Sequence, residues 1–479
     1  MRRAKIVCTL GPATDSAERL TELVEAGMDV ARFNLSHGSH AEHEARYSRV
    51  RQAADKVGRT VGVMVDLQGP KIRLGTFESG PVVLSPGDEF TITTDDVAGS
   101  VNRTSTTHSG LPTDVQPGDR VLIDDGRLAL EVEKVSGPDV VTRVLEGGPV
   151  SDHKGLNLPG AAVSVPAMSN KDEEDLRWAC RIGADMIALS FVRSADDITG
   201  VHRIMDEEGV RLPVIAKVEK PQAVENLREI VDAFDAIMVA RGDLGVELAL
   251  WDVPLVQKQA IELARRRAKP VIVATQMLDS MIGNSRPTRA ETSDVANAVL
   301  DGADAVMLSG ETSVGAYPIE TVQTMAQIVE TIEQHGFDRI PPLGTQPRTK
   351  GGAITRAAAE VAAVLDAQYL VAFSQTGDSA RRMSRLRSPI PLLAFTPLES
   401  TRNTLALSWG VEPFIVPTVS HTDEMVLQVD RMLLEMSRCR RGDVVVIVAG
   451  SPPGIPGSTN AMRVHVIGDA VGKVAPGYR

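Results

Sequence analysis

The sequence is poor in cysteine and in aromatic residues. Aromatic side chains make up 3% of its 479 residues, and the three cysteines, Cys8, Cys180 and Cys439, are widely spaced with no CxxC pair. We therefore expect neither a disulfide framework nor a zinc ribbon, and this cysteine usage fits a reducing compartment. Because large rings are scarce, the cores must be built mainly from Val, Ile, Leu, Ala and Met.

Long apolar runs, long basic runs and the common glycine-rich phosphate loops are also missing. The amino terminus passes from Arg2 and Arg3 directly into a short β-branched segment. We predict no signal peptide, no transmembrane span and a cytoplasmic location. The formal net charge of −12 argues against nucleic acid as a partner. Neither GxxxxGK(S/T) nor GxGxxG occurs, so individually placed side chains must bind any phosphate.

Apolar strand-like runs alternate with helical segments over most of the chain as far as about residue 340. The runs begin near Lys5, Val30, Val61, Met186, Val214, Ala236, Pro270 and Ala305. Eight alternating β/α units in roughly 250 residues indicate an α/β fold of the (β/α)8 TIM barrel type. A doubly wound open sheet is the competing architecture, but it would not require eight strands or place charged residues at so many strand ends.

Two further regions depart from this alternation. Residues 70–157 contain short Val/Thr-rich runs between turn sequences such as SPGD and QPGD, which predict a small β-barrel inserted into the larger one. Residues 341–479 contain new strand-like and helical segments and predict a separate open α/β domain. We assign 1–69 and 158–340 to the large barrel, 70–157 to the insert and 341–479 to a C-terminal domain.

Charged residues are concentrated at the carboxyl ends of the predicted barrel strands, most clearly in residues 213–247. Lys217 and Glu219 end one strand, and Arg241 and Asp243 follow the next. Such charges cost stability unless they pair or hold a ligand, and barrel active sites lie at this face. Two carboxylates and an ammonium from adjacent strands predict a site for a hard divalent cation and an anionic substrate. Structural ion pairs are the alternative interpretation of any single residue. Other strand ends supply further polar groups: Arg32, Asn34, Asp66, Thr275 and Glu311.

Several sequence blocks resemble the pyruvate kinase family, in order and over essentially the whole chain. They are KIVCTLGPAT (5–14), ARFNLSHGSHAEH (31–43), DLQGPKIRLG (66–75), KGLNLPG (154–160), AKVEKPQAVENLREI (216–230), MVARGDLGVE (238–247) and the block that begins ATQML (274–318). The resemblance implies a (β/α)8 catalytic barrel, an inserted β-barrel lid and a C-terminal regulatory domain. It also implies phosphoryl transfer from phosphoenolpyruvate to ADP, which gives pyruvate and ATP.

Two other functions compete with this one. An enolate-forming aldolase or lyase would keep the barrel and the metal, but it would not explain Lys154 or the added C-terminal domain. A catalytically silent sensor of phosphorylated metabolites is a second alternative. Its expected mark is the loss of Lys217, Glu219 or Asp243, and all three are present.

The resemblance implies a role for each residue that matches the family's catalytic motifs. Glu219 and Asp243 would hold Mg²⁺ or Mn²⁺, and Lys217 would lie against the transferring phosphoryl group and the enolate oxygen. Arg32 would hold the substrate phosphate, and the backbone of Gly242 and Asp243 the substrate carboxylate. Arg241 is interpreted as a supporting residue rather than a substrate ligand.

The resemblance also implies a proton relay and a nucleotide site. Thr275 would protonate the enolate through water, with Ser309 and Glu311 behind it. Four residues match the family's nucleotide positions: Asn34, His37, Arg73 and Lys154. Asp125, in the Asp124-Asp125-Gly126 turn of the insert, either reaches the active site when the lid closes or belongs to a plain hairpin turn, and both interpretations remain open.

The match to the family's monovalent-cation site is incomplete. The corresponding positions are Asn34, Ser36, Asp66 and Leu67. Family members that need potassium usually carry Glu where this chain has Lys71, and Thr and Lys where it has Leu67 and Gln68. A lysine ammonium near the substrate phosphate could supply the charge otherwise provided by potassium. We therefore predict weak or absent dependence on K⁺.

The C-terminal domain carries a loop that resembles the family's sugar-phosphate effector loop. It includes Ser374, Gln375, Thr376, Gly377 and Ser379, which precede a predicted helix. Gln375 and Asp378 replace basic residues of some bisphosphate-responsive members, so we expect a monophosphate effector such as a hexose phosphate or AMP. An ordinary capped helix is the alternative. The family is usually tetrameric, and the resemblance implies a homotetramer here.

Overall fold

The computed structural model describes residues 2–160 and 166–470, and its largest unit is a closed barrel of eight parallel strands. The barrel strands are Lys5–Thr9, Val30–Asn34, Gly62–Asp66, Met186–Leu189, Val214–Val218, Ala236–Ala240, Val271–Ala274 and Ala305–Leu308. Each strand pairs with its neighbour in chain order, and the last pairs with the first. The predicted (β/α)8 barrel is confirmed, because every predicted strand is present and the sheet closes.

Helices surround the barrel and connect its strands. The α-helices of this region are Ala17–Ala26, His40–Val57, Asn170–Ile182, Ile198–Glu207, Pro221–Glu225, Leu227–Ala233, Arg241–Glu247, Val253–Arg267, Arg289–Asp301, Gly310–Ser313 and Pro318–His335. Single 3-10 turns occupy Pro12–Thr14, Ala195–Asp197, Asp279–Ile282 and Phe337–Arg339. Within the described ranges, no helix has the length and apolar character needed to cross a membrane.

Two helical segments closely follow barrel strands. The segment after the strand Val214–Val218 divides into two helices at Asn226, whose side-chain Nδ2 donates to the Arg193 carbonyl at 3.0 Å. The segment Arg241–Glu247 was predicted only as the charged end of a strand, yet it forms a short helix. Its two glycines and lack of a helical apolar pattern conceal it in the sequence. This helix places Asp243 in its first turn.

The barrel strands are buried on both faces, as their continuous apolar sequences predict. The strand Val214–Val218 is buried at all five positions, including Lys217. Val30, Met64 and Met238 belong to a cluster inside the barrel, whereas Phe33 belongs to the larger cluster packed against the surrounding helices. Branched and unbranched aliphatic chains fill both cores, which agrees with the scarcity of aromatic residues.

The insert contains a six-stranded sheet and a two-stranded sheet instead of a single continuous barrel wall. Their strands are Val82–Leu84, Glu89–Thr93, Arg103–Ser105, Arg120–Ile123, Leu128–Ser136, Asp139–Glu146, Gly148–Val150 and Leu156–Asn157. Most neighbours are antiparallel, but Glu89–Thr93 and Arg103–Ser105 run parallel. The sequence showed no helix in this region, and the structure adds one turn at Leu111–Asp114.

The C-terminal domain is an open five-stranded sheet covered by helices. Its strands are Tyr369–Phe373, Leu392–Thr396, Val411–Ile415, Val444–Gly450 and Thr459–Val466, and its helices are Lys350–Val364, Asp378–Ser384, Glu399–Leu405 and Thr422–Glu435. The final strand is antiparallel to its neighbour and was not predicted, because its side chains are mostly exposed and lack an apolar run. The domain boundaries proposed from sequence remain predictions, and their ranges include residues 161–165 and 471–479, which lie outside the described residues.

Candidate active site

The centre of the site is the buried ammonium of Lys217, at the end of the strand Val214–Val218. Its Nζ donates to Ser190 Oγ at 2.6 Å and lies 2.8 Å from Glu219 Oε1 and 3.3 Å from Asp66 Oδ1. Burial lowers the pKa of Lys217, but the charges of Asp66 and Glu219 outweigh it and hold the pKa above its ordinary value. The site therefore contains a fixed cation that stays protonated.

Asp66 connects this lysine to Arg32 on the neighbouring strands. Arg32 Nε donates to Asp66 Oδ2 at 2.7 Å, its Nη2 lies 2.6 Å from the same oxygen, and its Nη1 donates to Thr9 Oγ1 at 2.8 Å. Burial raises the pKa of Asp66, but Lys217 and Arg32 together hold it below its ordinary value. One carboxylate thus orients two cations at the barrel mouth.

Glu219 and Asp243 are the two carboxylates available for a divalent cation. Glu219 Oε2 accepts the backbone N–H of Phe191 at 2.7 Å. Burial raises the pKa of Glu219, and the negative charge of Asp243 raises it further. Together these two effects outweigh the positive charge of Lys217, which lowers the pKa. Among the described residues, no cluster of three or more His, Cys, Asp or Glu side chains could enclose a metal ion. This donor set suits Mg²⁺, which is usually held by one or two carboxylates plus substrate oxygens and water.

Thr275 follows the neighbouring barrel strand in a left-handed conformation, with φ of 70°. Its Oγ1 accepts the Gly242 backbone N–H at 2.7 Å and donates to the Ala274 carbonyl at 2.6 Å. Arg241 Nη2 donates to the Thr275 carbonyl at 2.8 Å, while its Nη1 donates to Asp294 at 2.7 Å. Arg241 therefore braces the Thr275 turn and is already engaged on both ends of its guanidinium.

Ser309 and Glu311 end the last barrel strand. The two oxygens of Glu311 accept backbone N–H groups, from Leu278 at 3.1 Å and from Ser309 at 2.7 Å. Burial raises the pKa of this carboxyl, against those hydrogen bonds. The Ser309 hydroxyl is buried without a hydrogen-bond partner among the described residues. Of the Ser309 and Glu311 side chains, the Ser309 hydroxyl is therefore the one available to bind a water molecule.

The residues matched to a monovalent-cation site lie at the ends of two adjacent strands. Asn34 Oδ1 accepts the Ser36 backbone N–H at 3.2 Å. The carbonyl of Leu67 accepts from Ser190 Oγ at 2.8 Å, and Asp66 is held by Arg32 and Lys217. Three of the four matched positions, Asn34, Asp66 and Leu67, thus already have an oxygen bonded to a protein group. The loop continues to His37, whose carbonyl oxygen lies 2.8 Å from Nε2 of His43.

The lid residues lie where the insert leaves and rejoins the barrel. Lys154 Nζ is 2.9 Å from Asp124 Oδ1, and Arg73 Nη1 donates to the His153 carbonyl at 3.0 Å. A methyl group on Gly126, in the Asp124-Asp125-Gly126 turn, would lie 3.8 Å from Val246 Cγ1. The tip of this hairpin therefore faces the helix that carries Asp243, and Asp125 itself is exposed.

Lys71 lines a cavity between the lid and the barrel. Asp243, Lys220 and Phe191 line the same cavity. A methyl group placed on Gly155 would lie 3.6 Å from Lys71 Nζ, so the ammonium packs against the strand that returns from the lid. In the described parts of the chain, this ammonium has no ion-pair partner. The Lys71 ammonium therefore borders the cavity that Asp243 also lines.

The effector-type loop borders a cavity in the C-terminal domain, away from the barrel mouth. Ser374, Gln375, Thr376 and Ser379 share that cavity with 453–459. Ser379 Oγ lies 2.5 Å from Thr459 Oγ1, and Thr401 Oγ1 donates to the Gln375 carbonyl at 2.6 Å. Gly377 has φ of 77°, which suits glycine. Among the described residues, the lining of this cavity contains Asp378 and no Lys or Arg.

Sequence reasoning missed two side chains that hold the centre of the site. Ser190 Oγ accepts a hydrogen bond from Lys217, and Thr9 Oγ1 accepts one from Arg32. Both are hydroxyl residues at the carboxyl ends of barrel strands, so the pattern used for the charged residues could have found them. They were overlooked because a single Ser or Thr after an apolar run is also an ordinary turn signal.

Comparisons with known proteins give a consistent result. Residues 1–322 match the family described as "Pyruvate kinase, barrel domain", and residues 352–465 match "Pyruvate kinase, alpha/beta domain". The chain is 60% identical over 468 residues to a pyruvate kinase of Mycobacterium intracellulare, covering 98% of this chain and 99% of that one. It is also 60% identical to a pyruvate kinase of Corynebacterium glutamicum, covering 98% of both chains. A crystal structure of a pyruvate kinase from Cryptosporidium parvum superposes with a TM-score of 0.91 at 35% identity, covering 97% of this chain and 96% of that one.

Proposed function

The chain belongs to the pyruvate kinase family, and from that premise we propose how its barrel mouth transfers a phosphoryl group from phosphoenolpyruvate to ADP. This reaction, which gives pyruvate and ATP, is the last step of glycolysis. The observation that supports the assignment of roles is the buried cluster in which Lys217 contacts Ser190, Glu219 and Asp66 at the carboxyl ends of the barrel strands.

Lys217 neutralises the transferring phosphoryl group and then the enolate oxygen that it leaves. Phosphoryl transfer depends mainly on positioning and charge stabilisation, and Lys217 is oriented before substrate arrives by three oxygen contacts. Arg32, oriented by Asp66 and Thr9, contacts the substrate phosphate. The backbone of Gly242 and Asp243 binds the substrate carboxylate.

Glu219 and Asp243 hold Mg²⁺, or Mn²⁺ in its place. A bound divalent cation supplies charge neutralisation to the oxygens of the substrates. Burial and, to a smaller extent, the charge of Asp243 raise the pKa of Glu219, so a bound cation would favour the charged form of this carboxyl. The family generally uses Mg²⁺ and K⁺.

The enolate is protonated through Thr275 and a water molecule. Thr275 is a weak acid by itself, and its Oγ1 already donates to the Ala274 carbonyl. The buried hydroxyl of Ser309, without a protein partner in the described residues, provides a binding group for that water, and Glu311 fixes the turn behind it through two backbone N–H groups.

ADP binds between the barrel and the lid. Asn34 and His37 contribute from the barrel side, and Arg73 and Lys154 from the lid side. Lys154 exchanges its contact with Asp124 for the nucleotide phosphates as the lid moves. Asp125, exposed at the hairpin tip beside the helix of Asp243, either approaches the substrates in that movement or serves only the turn.

The chain assembles as a cytoplasmic homotetramer that responds to a phosphorylated metabolite. Exposed apolar side chains at Leu250, Trp251 and Leu255, together with the edge strand Thr459–Val466, provide surfaces suited to self-association. A monophosphate such as a hexose phosphate or AMP binds in the cavity of the loop 374–379, where Ser379 and Thr459 offer hydroxyl groups without a basic residue.

A coupled assay with lactate dehydrogenase, phosphoenolpyruvate, ADP and Mg²⁺ tests the activity directly. The wild-type enzyme is expected to consume NADH at a rate proportional to enzyme concentration, and omission of ADP or of Mg²⁺ should stop it. An aldolase or lyase would not require ADP, and a silent sensor would show no turnover at all. Absence of ADP-dependent pyruvate formation would therefore reject the proposed activity.

Lys71 replaces the positive charge of a potassium ion, and exchanging it should create a potassium requirement. The wild-type enzyme is expected to turn over equally well with tetramethylammonium or K⁺ as the monovalent cation. Lys71→Glu should lose roughly a hundredfold in kcat with tetramethylammonium, because one local cation is removed and an anion added, and K⁺ should restore most of it. The coupled assay in each salt measures this.

Lys134→Glu is the matched control, since it makes the same change at an exposed position of the lid. It should behave as the wild type in both salts. If wild-type turnover collapses in tetramethylammonium and recovers with K⁺, the ammonium of Lys71 does not replace the ion.

A further inference from the structure

A groove between the barrel and the C-terminal domain is lined by seven arginines and, among the described residues, by no carboxylate. It has a cavity volume of about 630 Å³. One wall is the end of the helix Val253–Arg267, and the other is formed by the linker before the helix Lys350–Val364 and by the helix Asp378–Ser384. The whole chain carries a net charge of −12, so this concentration of positive charge is a local feature.

Three of these arginines have no ion pair within the described residues. Arg228 and Arg348 are exposed and have no hydrogen-bonded partner there either. Arg385 is partly buried, its Nη1 donates to the Arg266 carbonyl at 2.9 Å, and its buried Nε has no partner. Burial, followed by the charge of Arg382, lowers the pKa of Arg385. Like charges are therefore gathered here without full compensation.

The other four arginines each contact a carboxylate that does not line the groove. Arg266 pairs with Glu262, Arg267 with Asp232 at 2.5 Å, Arg356 with Glu360 at 2.8 Å and Arg382 with Asp378 at 2.6 Å. Three of these four pairs are between residues four apart on one helix, and such exposed pairs contribute little energy. They can be rearranged by an anion that offers stronger contacts.

The amino-terminal end of the helix Lys350–Val364 adds to the positive potential. Thr349 caps this helix and also accepts from Arg382 Nη1 at 3.2 Å. A methyl group placed on Gly352 would lie 3.4 Å from Arg385 Nη2, so that guanidinium lies beside the first turn of the helix. Charged side chains and the helix end thus converge on one groove.

We propose that this groove binds a chain of two or more phosphoryl groups. Guanidinium groups bind phosphate oxygens bidentately, and three arginines without ion pairs match a ligand of at least three negative charges better than a single phosphate. Leu263, Leu343 and Leu386 also line the groove and could contact an organic portion. The phosphoryl chain could therefore come from free inorganic polyphosphate or from a nucleoside polyphosphate.

The groove is separate from the sites already described. It shares no lining residue with the effector-type cavity or with the cavity of Lys71 and Asp243. It nevertheless touches both domains, because Arg266 lies on the barrel helix that packs against the strands preceding Arg241 and Thr275, while Arg382 lies on the helix that follows the effector-type loop. Occupation of the groove would bridge the two domains.

Calorimetric titration of the full-length protein with tripolyphosphate, in the absence of divalent cation, tests the proposal. The double variant Arg228→Gln/Arg348→Gln should weaken the dissociation constant at least about tenfold, because two charge-assisted contacts are lost. Arg19→Gln/Arg203→Gln removes the same charge from exposed helices elsewhere and should bind as the wild type. Equal affinity in the groove variant, or no binding to the wild type at millimolar tripolyphosphate, would overturn the proposal.

Two further measurements extend this test. The first compares two possible ligands, and the second uses the wild-type protein, so its result does not depend on the folding of a variant. GTP that binds the groove more tightly than tripolyphosphate would indicate a nucleoside polyphosphate, and equal affinity would indicate free polyphosphate.

On the unaltered protein, tripolyphosphate should slow phenylglyoxal modification of Arg228 and Arg348 several-fold and leave Arg19 unaffected, as read by mass spectrometry. Modification of all three arginines at unchanged rates would contradict the proposal even if a variant failed to fold.

Discussion

Lys217→Met is expected to lower kcat by about 10³-fold, because one preorganised charge at a phosphoryl-transfer site contributes on that scale. The ammonium is buried, held by Ser190, Glu219 and Asp66, and kept protonated by the two carboxylates. Methionine fills a similar volume without the charge. The lactate dehydrogenase-coupled assay at saturating phosphoenolpyruvate, ADP and Mg²⁺ measures the loss.

The variant must be shown to remain folded, because removing one partner of a buried ion pair can cost about 3–5 kcal/mol in the free energy of unfolding. Thermal unfolding followed by circular dichroism provides this check. Lys217→Arg restores a charge to the network but not the geometry of an ammonium, so it should be more stable than the methionine variant and still slow. Lys56→Met, on an exposed helix surface, should be fully active. Full activity in a folded Lys217→Met enzyme would remove this lysine from the mechanism.

The sequence predicts the barrel well because its strands are buried on both faces. The run that precedes Lys217 is apolar at every position, and it forms the strand Val214–Val218 that the sequence indicates. The strand Thr459–Val466 was missed for the opposite reason, since most of its side chains face solvent and its sequence shows no apolar run. A buried strand has the continuous apolar run that sequence analysis detects, whereas a mostly exposed strand has no such run.

The same reasoning explains what could be predicted of the site. Lys217, Glu219 and Asp243 were identifiable because charged residues at the ends of apolar strands are costly. The role of Ser190 depends on its 2.6 Å contact with Lys217, which connects residues 27 positions apart and is set by barrel closure. The bracing of the Thr275 turn by Arg241 likewise depends on the unpredicted helix Arg241–Glu247.

The arginine groove could not be predicted from sequence. Its residues extend from Arg228 to Arg385, on segments of two domains, and of its seven arginines only Arg266 and Arg267 are adjacent in the sequence. What defines it is the packing of the C-terminal domain against the barrel, through contacts such as Arg265 Nη1 to the Pro341 carbonyl at 3.0 Å. Surface charge clusters that form across domains require the structure.

Glu219→Gln is expected to lower kcat/KM by at least about a hundredfold at limiting Mg²⁺, because it removes one of two carboxylates proposed to hold the cation. Glutamine retains the shape of the side chain and can still accept the Phe191 backbone N–H through its amide oxygen. The substitution therefore removes charge with little change in packing. Initial rates over a range of Mg²⁺ concentrations measure both the maximal rate and the concentration needed for half-activation.

A shift in the Mg²⁺ dependence separates a metal ligand from a residue that only orients Lys217. If Glu219 holds the cation, the half-activating Mg²⁺ concentration should rise more than about tenfold, whereas loss of orientation alone would lower the maximal rate and leave that concentration unchanged. Glu333→Gln is the matched control, since Glu333 is a largely buried carboxylate whose two oxygens accept the Arg3 and Ala4 backbone N–H groups at 2.7 Å each. It should leave the Mg²⁺ dependence unaltered. A wild-type Mg²⁺ dependence in Glu219→Gln would place the cation elsewhere and leave Asp243 without its proposed partner.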